Sequence, residues 1–398
     1  MKRYLILFTL LIAYVSLFTG CWSKREIDEL AIASAVGIDK TKEGYLVTAQ
    51  IINPGEIAAE KTSNRTVVSS YRASGETVFE AIRRLTLETP RKTYFGHIRL
   101  LVLGEDLARE GIGKTLDFFS RDPEIRTDFY IIIAKNSRAE ELLNILTPIE
   151  KIPANKMYDS LEMSAKSWAS TLHVTLDELI RSLLSKGKNP VLTGVIIKGS
   201  PQLGVAMENI EKVDIPTTIQ IRYLGAFKKD KLVGWLNEEE SIGYNYISDK
   251  VESTIVVITC SEEGKLGVEI IRTKAKIKGI VRQSKPEVSI DIWVEGNVAD
   301  VECTMDVTNL QNIYEIETKV AARIKQETIA AIRKAQKELR SDIFGFGEAI
   351  HRADPKAWHT FKDDWDEIFT SLPIHVNVTS RIKRTGTITK SFQQELKE

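Results

Sequence analysis

The sequence predicts an α+β protein of several domains. We expect an N-terminal domain that alternates strands and helices, a small β-rich middle segment, and a C-terminal antiparallel sheet packed on a long helix. Residues 30–146 alternate short apolar runs with helical periodicity, 191–246 carry short strands and turns, and 309–340 repeat apolar positions every three or four residues. The expected limits are a signal peptide at 1–20 and domains at 21–188, 189–248 and 249–398.

In the N-terminal domain, two strands flank a polar turn at 39–44, and apolar runs at 98–103 and 129–134 indicate buried strands. Ser74 is expected to cap the helix that follows the third strand, because its hydroxyl can accept a backbone N–H. Ser137 with Glu140, and Thr175 with Glu178, have the spacing of capping boxes, in which each residue satisfies the backbone N–H of the other.

The last third predicts strands, a long helix, a short helix and a closing strand. The alternation of Val288, Ile290, Ile292 and Val294 with polar residues indicates a half-buried strand. A helix of about nine turns follows at 309–340, and the glycines of 345–347 are expected to end it. Asp354 and Pro355 then start a further helix, since proline is tolerated at a first helical position.

The N-terminus has the pattern of an exported lipoprotein. Lys2 and Arg3 precede an uncharged apolar stretch at 4–19, which is shorter than the roughly 20 apolar residues of a spanning helix. The stretch ends in Thr19-Gly20-Cys21, where the cysteine thiolate can accept a diacylglyceryl group. Leu is usual three positions before the cysteine, and Phe18 stands there. An ordinary secretory peptide and an uncleaved anchor helix are the alternatives.

Charge and cysteine content narrow the function classes. The 55 basic and 55 acidic residues balance, and removal of Lys2 and Arg3 leaves a net charge of −2, so no basic excess favours nucleic acid. Besides Cys21, the chain has Cys260 and Cys303, both in strand-like contexts. We expect two separate buried thiols, and a single disulfide bond is the alternative.

The sequence contains no catalytic or metal-binding constellation that we can identify. Gly113-Lys114-Thr115 lacks the glycine that a phosphate-binding loop needs five residues earlier, where Ala108 stands. The histidines have no metal-ligand spacing, and His97 is expected to be structural. The acidic run Asp363, Asp364, Asp366 and Glu367 lacks the alternation of a calcium loop, which favours a solvated face. We expect no cofactor.

The charged side chains of the long helix permit two interpretations. One is a solvated face over the C-terminal sheet, and the other is a surface that docks onto a membrane subunit together with the acidic run. The outer positions that we assign are Lys319, Arg323, Lys325, Glu327, Lys334, Lys337 and Glu338.

An ordered series of short segments resembles one known family over nearly the whole mature chain. The segments are 22–30, Gly37-Ile38-Asp39, 45–51, 96–105, 120–126, 231–234 and 342–347, followed by Trp358 and Trp365. In this order they resemble the Ger(x)C family, the lipoprotein C subunits of spore germinant receptors.

The resemblance implies a non-enzymatic, three-domain lipoprotein on the outer face of the spore inner membrane. It would act with integral-membrane A and B subunits to sense nutrients and trigger germination. Only the lipidated cysteine, Cys21, carries over as a site residue; no catalytic, cofactor-binding or metal-binding residue does. The alternative is an extracytoplasmic solute-binding lipoprotein, which would need two similar lobes around a ligand cleft.

Overall fold

The computed structural model describes residues 2–4, 6, 29–57, 65–260, 264–303 and 305–385. Cys21 and nearly all of the expected signal peptide 1–20 lie outside the described residues. The described chain forms two sheets with helices packed on them, and the predicted α+β class is confirmed.

The first sheet has nine strands in the order β3-β2-β1-β5-β6-β7-β8-β9, with β4 paired to the start of β1. Its central pairs, β1 to β7, are parallel and its outer pairs are antiparallel. Every residue of β5 and β6 is buried, because helices cover both faces of the parallel section. The strands are β1 (Leu30–Thr41), β2 (Gly44–Ile52), β3 (Val68–Gly75), β4 (Lys92–Tyr94), β5 (Leu100–Gly104), β6 (Tyr130–Ala134), β7 (Val191–Lys198), β8 (Thr218–Lys228) and β9 (Lys231–Leu236).

Helices and the sheet between them enclose two apolar cores in this half. One core collects residues of α2, α3, α4 and α7, and the other collects residues of α5 and α6. The helices are α1 (Pro54–Ile57), α2 (Val78–Arg84), α3 (Glu105–Glu110), α4 (Gly113–Arg121), α5 (Ala139–Leu143), α6 (Pro153–Ser167), α7 (Leu176–Leu184), α8 (Pro201–Gly204), α9 (Glu208–Glu211) and α10 (Glu238–Ile247).

The strands of the expected middle domain extend the first sheet. β7 pairs in parallel with β6 through Ile132 and Thr193, and β8 and β9 follow in sequence. Four of the first five residues of β7 are aliphatic or Thr, and four of the five residues of β6 are aliphatic. All of these positions are buried, which suits interior strands. The sheet therefore continues across the expected limit at 188/189, and the three-domain division stays a prediction.

The second sheet has the order β10-β11-β12-β13. Two of its pairs are antiparallel as expected, but β12 and β13 are parallel. A parallel pair needs a long crossover connection, and the helices between these two strands supply it. The elements are β10 (Thr254–Thr259), β11 (Lys265–Arg282), β12 (Lys285–Val301), α11 (Leu310–Arg333), a π-helical turn (Lys334–Leu339), α12 (Phe346–Ala353), α13 (Pro355–Phe361), α14 (Trp365–Phe369) and β13 (Ile374–Arg384).

The predicted long helix is present as α11 and its π-helical continuation. Ile316, Val320 and Ile324 are fully buried on one side of α11, in one cluster with the inward residues of β12. The same cluster includes Leu224 and Leu236 of the first sheet. One continuous apolar core therefore joins the two halves of the molecule.

Cys260 and Cys303 form a disulfide bond, so the expectation of two separate thiols is wrong. The pairing of Thr259 with Lys265 and of Leu266 with Val301 brings the end of β10 beside the end of β12. The register of the strands therefore brings the two cysteines together. Their separation of 43 residues in the sequence does not reveal this register.

Two predicted helix caps lie at other residues. Thr77, not Ser74, caps α2 by accepting the backbone N–H of Glu80 at 3.1 Å, because Ser74 is held in β3 opposite Leu46. The N-cap of α5 is Arg138, one residue after the expected Ser137. Glu141, rather than Glu140, therefore accepts the backbone N–H of the N-cap residue, at 3.0 Å. The Thr175–Glu178 box and the helix start at Asp354-Pro355 are confirmed, and the Asp354 side chain caps that helix by accepting the N–H of Ala357.

Candidate functional site

The predicted lipidation site, Cys21, lies outside the described residues, and the chain enters the fold at Glu29 and Leu30. Among the helices that the structure describes, none combines the length and the apolar character that crossing a membrane requires.

The segment 342–347 of the resemblance forms a buried turn around one carboxylate. Oδ1 of Asp342 accepts the backbone N–H groups of Phe344, Gly345 and Phe346 at 3.1, 2.9 and 3.2 Å. Oδ2 accepts the N–H of Gly347 at 2.8 Å and the indole N–H of Trp365 at 3.0 Å. These donors include the first N–H groups of α12, which have no partner inside the helix. Asp342 therefore organises the start of α12.

Burial raises the pKa of Asp342 to about 6, while the hydrogen bonds from Gly347, Trp365, Phe346 and Gly345 oppose that rise. The carboxylate is consequently ionised at neutral pH, where its negative charge also suits the positive end of the α12 dipole. The glycines at 345–347 thus begin a helix, and the expectation that they end the long helix is wrong. Gly345 adopts a left-handed backbone with φ of 82°, which permits the tight turn.

The Asp342 turn also fastens the second sheet to the first half of the molecule. The carbonyl of Asp342 accepts the N–H of Asn189 at 2.7 Å, and the hydroxyl of Ser341 donates to the carbonyl of Phe227 at 2.5 Å. Gly347 lies against Gly187, where an added Cβ on Gly347 would sit 2.7 Å from the Gly187 Cα. We call the turn 341–348 and its contacts the junction.

Asp39, a residue of the first sheet, provides a second buried carboxylate with a similar role. Asp39, in β1, accepts the N–H groups of Ala139 and Glu140 at 2.8 and 3.0 Å and so caps α5. Desolvation raises the pKa of this buried carboxyl, against the lowering by those two hydrogen bonds. Like Asp342, Asp39 belongs to a segment that carries the family resemblance, and its role in the fold is structural.

A buried acidic group lies where α10 packs on α11. Oε1 of Glu327 accepts from Arg323 at 3.0 Å, while Oε2 and the buried Tyr246 hydroxyl make no hydrogen bond among the described residues. Burial raises the pKa of Glu327 to about 7; Arg323 lowers it and Glu239 raises it. Gly243 permits this close packing, since an added Cβ would meet the Glu327 carbonyl at 2.1 Å.

The assignment of Glu327 to the outer face of the long helix is therefore wrong. Other charged side chains of that face bind within the chain. Lys319 and Lys337 each donate to a backbone carbonyl, of Thr259 and Thr370, at 3.0 Å, and Lys334 pairs with Glu338. Much of the face is thus occupied by intramolecular contacts.

The other side chains considered in the sequence do not converge on a site. His97 is exposed and contacts the edge of Tyr94, with 5.6 Å between ring centroids. Asp366 pairs with Lys228 at 3.0 Å, and Glu367 with Arg340 at 2.5 Å. Within the described ranges, no group of three or more His, Cys, Asp or Glu side chains could hold a metal ion.

Comparison with known proteins decides the family. Residues 23–197 match the family described as "Spore germination protein N-terminal domain", and 224–386 match "Spore germination B3/ GerAC like, C-terminal". The chain is 31% identical to spore germination protein KC of Bacillus subtilis (strain 168), over the full length of both proteins. The chain belongs to the Ger(x)C family of spore germination proteins.

Other relatives of this Ger(x)C chain extend over its whole length. Spore germination protein B3 of Bacillus subtilis is 24% identical, with 98% of this chain and 99% of that protein covered. The fold is similar to the crystal structure of the GerBC protein, with a TM-score of 0.54, 18% identity, and coverage of 87% of this chain and 96% of that one. The resemblance inferred from the ordered segments is confirmed.

The sequence did not predict the contacts of Asp39 and Asp342. The sequence offered no ordinary cap signal for Asp342, because the N-cap of α12 is Gly345, three residues later. Asp39 had no such signal either, since the helix that it caps begins 100 residues later in the chain.

Proposed function

We propose that this Ger(x)C chain is a non-enzymatic lipoprotein subunit of a nutrient germinant receptor, acting with integral-membrane A and B subunits to trigger germination. The observation that carries the proposal is the full-length similarity to spore germination protein KC. Both family domains occur in order in one chain, which supports a role for the whole protein in germination.

The proposed anchor is a lipid on Cys21, which would hold the protein on the outer face of the spore inner membrane. Support comes from positions 2–21, where two basic residues are followed by an apolar stretch and then by small residues just before the cysteine. Two acyl chains suffice for stable attachment, because each buried CH₂ adds about 0.8 kcal/mol of membrane affinity.

The buried carboxylates support a role without catalysis. Asp39 and Asp342 use their oxygens to cap helices, and Glu327 lies inside a helix interface. Catalysis by a nucleophile needs a base within hydrogen-bond reach and a place for substrate, and these carboxylates are committed to backbone or helix contacts. The two unlike sheets also give little support to the alternative solute-binding lipoprotein, which would need two similar lobes.

The proposal is tested in spores that carry an affinity-tagged chain in place of the native one. We expect two polytopic proteins to co-purify from detergent-solubilised spore membranes, and we expect the wild-type chain to incorporate a fatty-acid analogue. Cys21→Ala should abolish labelling and slow nutrient germination, while the circular dichroism spectrum stays unchanged. Absence of polytopic partners, or an unlabelled wild-type chain, would contradict the respective part of the proposal.

A further inference from the structure

A groove of about 930 Å³ lies at the end of the first sheet where the chain enters the fold. Leu30, the first residue of β1, lines it, as do Ile52 of β2 and Val205 and Met207 from the connection between β7 and β8. The groove is therefore next to Leu30, the residue from which the chain leads back toward Cys21.

Large apolar side chains are exposed on the segments that form this groove or on residues next to them in sequence. We call them the apolar rim: Ile57, Leu87, Ile149, Leu203, Val205 and Met207. Ile149 is 98% and Leu87 is 82% exposed, which packing within the chain does not explain. Each belongs to a segment that lines the groove or lies within three residues of one that does. Exposed apolar groups gathered at one place indicate a binding surface rather than scattered surface residues.

The rim is held in place by satisfied hydrogen bonds. The buried Asn209 side chain donates to the carbonyls of Leu146 and Thr217 at 2.9 and 3.0 Å, and accepts the N–H of Thr217 at 2.9 Å. The N–H of Leu146 donates to the carbonyl of Gly204 at 2.8 Å. Helices α8 and α9 are thus fixed to the turn that carries Ile149, and the rim residues are presented together.

We infer that the apolar rim lies on the phospholipid bilayer and inserts its side chains at the lipid–water interface. This inference rests on the proposed lipid anchor at Cys21. Eight residues lie between Cys21 and Leu30, and the nine Cα-to-Cα steps of a fully extended chain span at most about 30 Å. The anchor therefore keeps this end of the protein, rather than an unspecified surface, close to the membrane.

Charge distribution defines the lipid that the rim would accept. The segments that carry the rim hold both signs, with Arg91, Lys151 and Lys212 beside Glu88, Glu150 and Glu208. A mixed surface has no strong preference for anionic headgroups, so apolar contact would dominate the interaction. Zwitterionic phosphatidylcholine should consequently be sufficient.

The test uses the full-length lipidated protein in phosphatidylcholine vesicles that contain no other protein. With Cys21 acylated and Cys260 bonded to Cys303, one introduced cysteine provides the free thiol for an environment-sensitive fluorophore. Val205→Cys reports on the rim. Val257→Cys, on β10 of the other sheet, is the matched control, since the two valines are 51% and 52% exposed. Ile149→Cys is a second reporter on the rim, at a side chain that no packing constrains.

We expect the fluorophores at 205 and 149 to emit at shorter wavelength and to be quenched by doxyl-labelled phosphatidylcholine, whereas the fluorophore at 257 is not. Equal quenching at all three positions, or none at the rim, would overturn the inference. Quenching that appears only after integral-membrane subunits are added would also overturn it, in favour of a protein contact. Vesicle flotation distinguishes the lipid anchor from the membrane contact of the apolar rim. Protein that floats with the vesicles but shows no quenching at the rim would support the anchor and contradict the rim contact. Protein that does not float would contradict both proposals.

Discussion

Nε1 of Trp365 donates a 3.0 Å hydrogen bond to Oδ2 of Asp342, and this bond connects α14 to the turn that begins α12. Both residues are buried. The bond therefore links two helices of the crossover between β12 and β13 through the same carboxylate that organises the junction.

Trp365→Phe is expected to lower the free energy of unfolding by about 1.5–3 kcal/mol, the usual contribution of a hydrogen bond to a charged group. Trp168→Phe is the matched control, because its indole also donates to a carboxylate, Glu238, but at the surface. Chemical denaturation of the two variants measures the difference. Equal destabilisation of the two variants would contradict a larger contribution from the buried bond to Asp342.

Glu327 should make stability fall as pH rises from about 4.5 to about 7. The pKa of this carboxyl is about 7 in the folded protein and near 4.5 when unfolded, so in that window the folded state binds more protons. The contribution of Glu327 to the free energy of unfolding is fully present below about pH 4.5 and is lost as the pH rises through about 7. The difference corresponds to about 3 kcal/mol.

Glu327→Gln should reduce this pH dependence, most clearly between about pH 6 and 7, because the raised pKa of Asp342, about 6, gives a slope of the same sign at lower pH. Thermal unfolding between pH 4 and 8 would measure the change. Glu338→Gln, at an exposed position of the π-helical turn, provides the control and should leave the slope unchanged. A slope between about pH 6 and 7 that is unchanged in Glu327→Gln would contradict the prediction.

The Cys260–Cys303 bond should add about 2–4 kcal/mol to stability, by restricting the unfolded chain over 43 positions. Reductant is expected to lower the melting temperature of the wild-type protein to that of Cys303→Ser. The same reductant should not shift Cys303→Ser itself. A wild-type melting temperature that is insensitive to reductant, with full thiol exposure verified after unfolding, would be the contrary result.

Charge reversal on the long helix should depend on the position chosen. Arg323→Glu is expected to destabilise the protein by more than about 1 kcal/mol, since it leaves the buried Glu327 carboxyl beside a like charge. Lys325→Glu, at an exposed position, should change stability by less than about 0.5 kcal/mol. Lys325 is thus the better probe for docking to a membrane subunit, measured by receptor co-purification, and equal stability effects would contradict this reasoning.

Local patterns predicted the parts of the fold that local interactions decide. The continuous apolar runs of β5 and β6, the period of α11, the cap at Thr175 and the helix start at Asp354-Pro355 all depend on residues close in sequence. The junction could not be predicted in this way, because Asp342 meets Asn189 only after the two halves have packed, and meets Trp365 only after α14 has packed beside the start of α12. The burial of Glu327 likewise depends on α10, which lies more than 80 residues earlier.

The parallel pairing of β12 with β13 joins two strands that are far apart in the sequence. Val288 pairs with Ile374 and Asn297 with Arg384, so β12 pairs with a strand that is separated from it by all the helices of the second half. A chain cut short before 374 would present a long strand edge with unpaired N–H and C=O groups, which favours association with other chains. Truncated products of this protein should therefore aggregate rather than persist as partly folded subunits.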